Sequence, residues 1–298
     1  MGLAFVNGEF VPLPEARVSP LDRAYMYGDG VFVEVPVYGG TVFGLDAHLR
    51  RLKAGLEAAR IANLLSDEQW AKIFNRIIAF NGGPEQILYA QVSRGISGRG
   101  IVGFPDQIRP CVFAMGRVIL EREEPSGINA ITHQDVRPVL GALSCVSTFA
   151  NSWLQQTAKD QGADEAILIH DGQVTDGASS AVFVVGEDFV VTPPPSDRLV
   201  GGVMRDFVLA LGNENNLPML EAQVSLDALN EAREVFVVSP WLELTPVLSI
   251  DGKPVGGGNP GPVWRKLWRV FNESREQAQL VTELLAPPDP AFLDDTPQ

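Results

Sequence analysis

Several residue groups in this chain have types and spacings that could do chemistry. Gly201-Gly202 stands just ahead of a helical pattern. Glycines there leave the first N–H groups of a helix open to a phosphate, although an ordinary tight turn has the same spacing. Arg51 lies on a helical stretch between Arg50 and Lys53, where a solvated basic face is the simpler reading. Asp176-Gly177-Ala178-Ser179-Ser180 is a polar loop between two strand-like runs, and Tyr27-Gly28-Asp29-Gly30 reads as a turn before a third. Arg94 and Arg99 flank Gly95-Ile96-Ser97-Gly98, a loop with two cations that could grip a carboxylate bidentately or sit on the surface. No pattern ties Cys145 to His48, His133 or His170, so an inert thiol is expected rather than a nucleophile. The three histidines lack metal-ligand spacing, and no metal site is expected.

Elements must position these groups. The chain has 298 residues, 45% of them hydrophobic, which implies two domains of ordinary size. Its net charge of −14 repels phosphate backbones and anionic lipid, so neither nucleic acid nor membrane is an expected partner. The N-terminus shows no signal peptide, no apolar run is long enough to span a bilayer, and two cysteines fit a reducing cytoplasm. Ala4–Val6, Glu9–Val11 and Val31–Tyr38 read as strands separated by Asn7-Gly8 and Gly39-Gly40 turns. Leu49, Leu52 and Leu56 share a helical face, and Ser66 with Gln69 has capping-box spacing before Trp70, Phe74 and Ile77. Ile87–Ser93 and Cys111–Met115 are β-rich. The polar run 117–126 reads as a linker between a domain over 1–116 and one over 127–281. Within the latter, Ser147–Lys159 and Val263–Gln279 read as helices, and Ala166–His170, Val182–Val185 and Glu234–Val238 as strands. Residues 282–298, rich in Pro and Asp, are expected to be disordered.

Taken in order, the pieces resemble one family. Asp22-Arg23-Ala24-Tyr25-Met26-Tyr27-Gly28-Asp29-Gly30-Val31-Phe32 is followed by His48-Leu49-Arg50-Arg51-Leu52, Gln91-Val92-Ser93-Arg94-Gly95, Gly162-Ala163-Asp164-Glu165-Ala166, Val174-Thr175-Asp176-Gly177 and Leu244-Thr245-Pro246-Val247. The chain is similar to the fold-type IV (class IV) pyridoxal-phosphate aminotransferases: D-amino-acid transaminase, branched-chain aminotransferase and, less closely, aminodeoxychorismate lyase. The resemblance implies an α+β fold with a small N-terminal α+β domain and a larger domain containing a β-barrel. It also implies a homodimer, an amino-acid or keto-acid substrate, and pyridoxal or pyridoxamine 5′-phosphate between the domains. On that pattern Arg51 and the N–H groups of Val203 and Met204 meet the phosphate. Asp176 meets the pyridine nitrogen, with Ser179 and Ser180 in the same loop. Phe32, Arg94 and Arg99 line the substrate side.

One element of the pattern is missing. The family's Schiff-base lysine falls at Ser144 when counted back from Asp164 without gaps, at Val146 or Leu143 in other registers, and none of these is lysine. The five lysines are Lys53, Lys72, Lys159, Lys253 and Lys266, so none lies between 73 and 158. Asp176 is also one methylene shorter than the usual glutamate, Met204 replaces a hydroxyl residue, and Pro240-Trp241 stands where small hydroxyl side chains are common. A cofactor held here would therefore be non-covalent. Three readings follow: an aminotransferase with weak or altered activity; a catalytically inactive homologue that binds the cofactor or another small ligand; and a repurposed pocket without it.

Overall fold

A computed structural model describes residues 2–98, 100, 102–120, 123–138, 143–196, 198–199 and 201–285. The first sheet is built from β1 (Leu3–Val6), β2 (Glu9–Pro12), β3 (Gly30–Tyr38), β4 (Thr41–Val42), β5 (Gln86–Ser93) and β6 (Cys111–Val118), in the order β2-β1-β6-β5-β3-β4. Asn7 and Gly8 both take positive φ, as the tight β1–β2 hairpin requires. Helices α1 (Arg23–Tyr27), α2 (Leu45–Ala58) and α3 (Asp67–Asn81) belong to the same half. Ser66 and Gln69 form the expected reciprocal cap on α3. Leu49, Leu52, Trp70, Phe74 and Ile77 from α2 and α3 share one core with Val31, Val33 and Val35 of β3. Phe32 and Glu34 alternate to the opposite, half-buried face.

The second sheet has nine strands: β7 (Ile128–Gln134), β8 (Glu165–His170), β9 (Gln173–Gly177), β10 (Ala181–Val185), β11 (Val190–Thr192), β12 (Met219–Glu221), β13 (Glu234–Ser239), β14 (Glu243–Ile250) and β15 (Lys253–Pro254). Their order is β12-β11-β10-β13-β14-β7-β8-β9, with β15 beside β14. The sheet curls, because Gly177 at the end of β9 donates its N–H to the Ser180 carbonyl (2.7 Å) just before β10. Around it lie α4 (Phe149–Asp160), α5 (Val203–Glu214), α6 (Leu226–Asn230), α7 (Pro262–Ser274) and α8 (Ala278–Leu284). The Glu234 carboxylate accepts the first N–H groups of α7, from Val263 (3.0 Å) and Trp264 (2.8 Å), and so anchors that helix by its positive end. Among the described residues no helix is long and apolar enough to cross a membrane.

Three boundaries differ from the sequence reading. Arg117 and Val118 are not linker: both pair with β5, so β6 consumes the start of the 117–126 stretch. The single terminal helix is two, with a turn at 275–277 between α7 and α8. Helix α8 also runs to Leu284, inside the stretch expected to be a tail, because Val281 is buried in the large-domain core. The remaining tail lies outside the described residues. Nor is the small half self-contained. Tyr38 and Phe43 pack into the aromatic cluster of α5 and α7, with Phe43 edge-on to Phe207 at 4.9 Å.

A buried ion cluster fixes the entry to β3. Asp29 Oδ2 accepts from Arg23 Nε (2.7 Å) and Arg94 Nε (2.8 Å), and the two arginine side chains are only 2% and 5% exposed. Arg94 also donates to the carbonyls of Ala59 (2.7 Å) and Arg60 (2.8 Å) at the end of α2, and its guanidinium lies 3.6 Å from the centre of the Phe104 ring. Removing the shared carboxylate would take the Asp29 counter-charge from two buried cations. Asp29→Ala is therefore expected to lower unfolding stability by roughly 3–5 kcal/mol in urea titrations. Lys53→Ala, which breaks an exposed pair with Asp67, should cost less than about 1 kcal/mol.

Candidate active site

Of the groups singled out in the sequence, Arg51, the start of α5 and Asp176 come together. Arg51 projects from α2 beside the start of α5, whose N-cap, Gly202, supplies no side-chain cap. Arg51, Arg50, Val203, Asp206, Leu284 and Leu285 line a cavity of about 280 Å³ there. Burial pulls the Arg51 guanidinium below its ordinary range, and the charges of Asp206 and Asp176 pull it back. A cation and the first N–H groups of a helix form a donor set suited to a phosphate. The side chain of Met204 is buried in the aromatic core, so its backbone alone faces this end. Asp206, part of the Arg205-Asp206 pair that also matches the family pattern but is given no role there, brings a negative charge to the same wall. Burial raises its carboxyl above the ordinary range, against the pull of Arg205 and Arg51.

Asp176 sits at the end of β9. Burial dominates there and pushes its carboxyl up to about 6, although Arg137 opposes the shift. Arg137 Nη1 lies 3.2 Å from Asp176 Oδ2, and Arg137 also bonds both oxygens of Asp135 and the carbonyl of Arg198. A buried carboxylate suits a ring nitrogen that carries a proton, but here it already has a cation beside it. The sequence reading passed over Arg137. Its only signal was the Asp135-Val136-Arg137 spacing at the end of β7.

The hydroxyls of Ser179 and Ser180 turn away from Asp176. Both donate to Glu165 Oε2, at 2.7 and 2.8 Å. Glu165 also accepts N–H groups from Ala166 and Ala178. Its carboxyl is raised by burial and pulled down by these donors. The serines thus build the turn after Asp176 rather than reach from it.

The segment expected to carry a lysine is held against β3. Phe32 N–H donates to the Ser144 carbonyl (2.8 Å), Val146 N–H donates to Gly30 (3.0 Å), and Cys145 bridges Val31. This segment leads into α4, where Asn151 donates to Ala178 (2.8 Å) and Gln155 to Ser179 (3.0 Å). It therefore lies between β3 and the Asp176 loop. All five lysines are exposed; Lys53 is paired with Asp67, and Lys266 donates to the Asn215 carbonyl. Phe32 stacks on Tyr89 at 5.5 Å on the open face of β3. Arg94 is committed to the buried cluster described above, so its guanidinium does not extend from the wall. Arg99 lies outside the described residues. Trp241 reaches across to Glu34, donating Nε1–H to Oε1 at 2.9 Å, and does not line the cavity around Arg51. Among the described residues, no three His, Cys, Asp or Glu side chains are grouped to hold a metal.

Known proteins share this fold. The family model described as amino-transferase class IV matches residues 30–250. D-alanine aminotransferase of Bacillus licheniformis is 33% identical over 271 residues, covering 90% of this chain and 95% of that protein. The Listeria monocytogenes enzyme of the same name is 30% identical over 277 residues, covering 92% and 96%. Among solved structures, a branched-chain amino acid aminotransferase from T.th. with pyridoxamine 5′-phosphate superposes with a TM-score of 0.84 at 26% identity, covering 95% of this chain and 96% of that one. The Escherichia coli branched-chain enzyme has the same fold, with a TM-score of 0.84 at 24% identity over 93% of this chain and 95% of that one. The colinear motifs, the curled sheet and these matches agree, and the chain belongs to the class IV aminotransferase family.

Proposed function

We propose that this protein holds pyridoxal or pyridoxamine 5′-phosphate non-covalently and transaminates amino and keto acids weakly or with altered scope, as a homodimer. The observation that supports the reading is a cavity with a phosphate-type donor set and no lysine: Arg51 and the start of α5 line it, the charge of Asp176 acts on Arg51, and all five lysines are exposed. Arg51 and the N–H groups of Val203 and Met204 would hold the phosphate, and Asp176 would meet the ring nitrogen. When bound, the group supplies an electron sink for the pair released at the substrate α-carbon. Ser144 offers a hydroxyl, which is a poor base at neutral pH and cannot tether an aldehyde. Loss of a positioned base costs about 10²–10⁴-fold in rate. Phe32 holds the 144–146 backbone against β3, so on this reading the deficit would be one of chemistry and not of architecture.

A second reading, a silent homologue that binds a ligand without turning it over, draws on the Arg137–Asp176 pair. That pair partly neutralises the acid before any ring arrives.

Two measurements test the site. Borohydride treatment of cofactor-loaded protein should leave its mass unchanged, whereas Ser144→Lys should gain one reduced pyridoxyl group. A stable adduct on the natural chain would overturn the non-covalent assignment, and a folded Ser144→Lys that stays unmodified would favour a repurposed pocket. Asp176 makes a separate prediction. Its folded-state value, about 6, lies above the ordinary 3.8, so the native state binds the proton more tightly. Its contribution is most favourable below the unfolded value and is lost as pH rises through the folded one. The stability of wild type relative to Asp176→Asn should fall by roughly 3 kcal/mol from about pH 4 to above pH 6, measured by denaturant unfolding. An increase over that range would show that the Arg137 attraction outweighs burial.

A further inference from the structure

Strand β3 carries one acidic side chain where the two halves of the molecule face each other. Its alternation sets Phe32 and Glu34 on the half-buried face, away from α2. Phe32 marks the position of this face, because its N–H is bonded to Ser144 and its ring stacks on Tyr89. Glu34 stands opposite Tyr89 in the β3–β5 register. From the other half, the turn between β13 and β14 sends Trp241 to Glu34 Oε1 at 2.9 Å. The Arg117 guanidinium lies 5.6 Å from the centre of the Trp241 ring, on the side of the indole. The segment bonded to Phe32 is the one whose continuation, α4, grips Ala178 and Ser179 beside Asp176. The stretch from Ser144 into α4 thus links the strand that carries Glu34 to the loop beside Asp176.

We propose that Glu34 is a specificity-determining residue: its carboxylate, aimed by Trp241, admits amino compounds whose side chain carries a cation or an N–H donor and turns away those with a second carboxylate. The inference rests on the cofactor reading above, since substrate must lie between Asp176 and β3 for Glu34 to meet it. A neutral wall at this place would leave substrate charge unread. A half-buried acid repels a second acid at close range more than a fully solvated one does. Specificity of this kind comes from the repulsive element as much as from the attractive one. Burial raises the Glu34 carboxyl above its ordinary range and the Trp241 hydrogen bond opposes the shift.

The test needs no turnover. Reduced phosphopyridoxyl adducts of lysine and of glutamate, each in D and L form, are titrated into the full-length protein at about pH 8, where carboxylates are ionised. Binding is followed calorimetrically, with pyridoxamine phosphate as the reference. We expect the lysyl adduct to bind at least about tenfold tighter than the glutamyl adduct of the same hand, as one desolvated like-charge contact allows. Glu34→Gln keeps an acceptor for Trp241 and should bring the two within about threefold. Trp241→Phe should narrow the ratio as well, by releasing the carboxylate from its aim, and decides the matter if Glu34→Gln fails to fold. A ratio unchanged in the folded variants, or a natural preference for the glutamyl adduct, overturns the role of Glu34 while the cofactor site stands. Failure of pyridoxamine phosphate and every adduct to bind overturns the cofactor reading, and this inference with it.

Discussion

Strand β3 is the seam on which the structure depends. Its first residues bond the 144–146 segment, its middle meets Trp241 through Glu34, and its end delivers Tyr38 into the aromatic core of the larger half. Arg275 adds a cation 5.3 Å from the Tyr38 ring while pairing with the buried Glu243. One continuous backbone thus sets the spacing of the crevice along its length. The chain between β6 and β7 has little to fix, because the two sheets are already registered by contacts elsewhere. Hydrogen bonds along β3 also tie Phe32 to the 144–146 segment, whose continuation α4 bonds the loop beside Asp176 in the other sheet.

Charge inside the crevice alternates in sign. Arg51 stands between Asp206 and Asp176, and Arg137 between Asp176 and Asp135. Burial penalises each of these groups, and each neighbour repays part of the penalty. Few of the charges are therefore idle surface. The same logic explains Arg23 and Arg94, whose shared carboxylate, Asp29, lies in the most recognisable sequence motif of the chain. That motif is legible as a family signature, yet much of what it does is hold the start of β3 in place.

Local signals in the sequence translated well. The Ser66–Gln69 cap, the Asn7-Gly8 turn, the alternation of β3 and the helical face of Leu49, Leu52 and Leu56 all depend on neighbours a few residues away, and all are present. The convergence of Arg51, Asp176 and the start of α5 was legible only through colinear motifs, since no spacing rule joins residues so far apart. What escaped was long-range pairing. Arg94 looked like a substrate ligand because loop arginines often are, but its partners Asp29, Ala59 and Arg60 lie on distant segments. Ser179 and Ser180 had the right types for a ligand loop, and only the fold shows that Glu165 takes both hydroxyls. Arg137 and Glu34 carried no motif at all, and Asp206 stood in a family match, Arg205-Asp206, that gave it no role. The break between α7 and α8 was invisible because the apolar period continues through it.

The turn after Asp176 is anchored from within the chain. Glu165 gathers two hydroxyls and backbone N–H groups into one satisfied carboxylate, and every donor comes from the chain itself. Such a hub asks nothing of a guest molecule to stay folded. A chain wired this way keeps the turn after Asp176 in shape through its own donors, and substitutions elsewhere in the neighbourhood leave that turn standing.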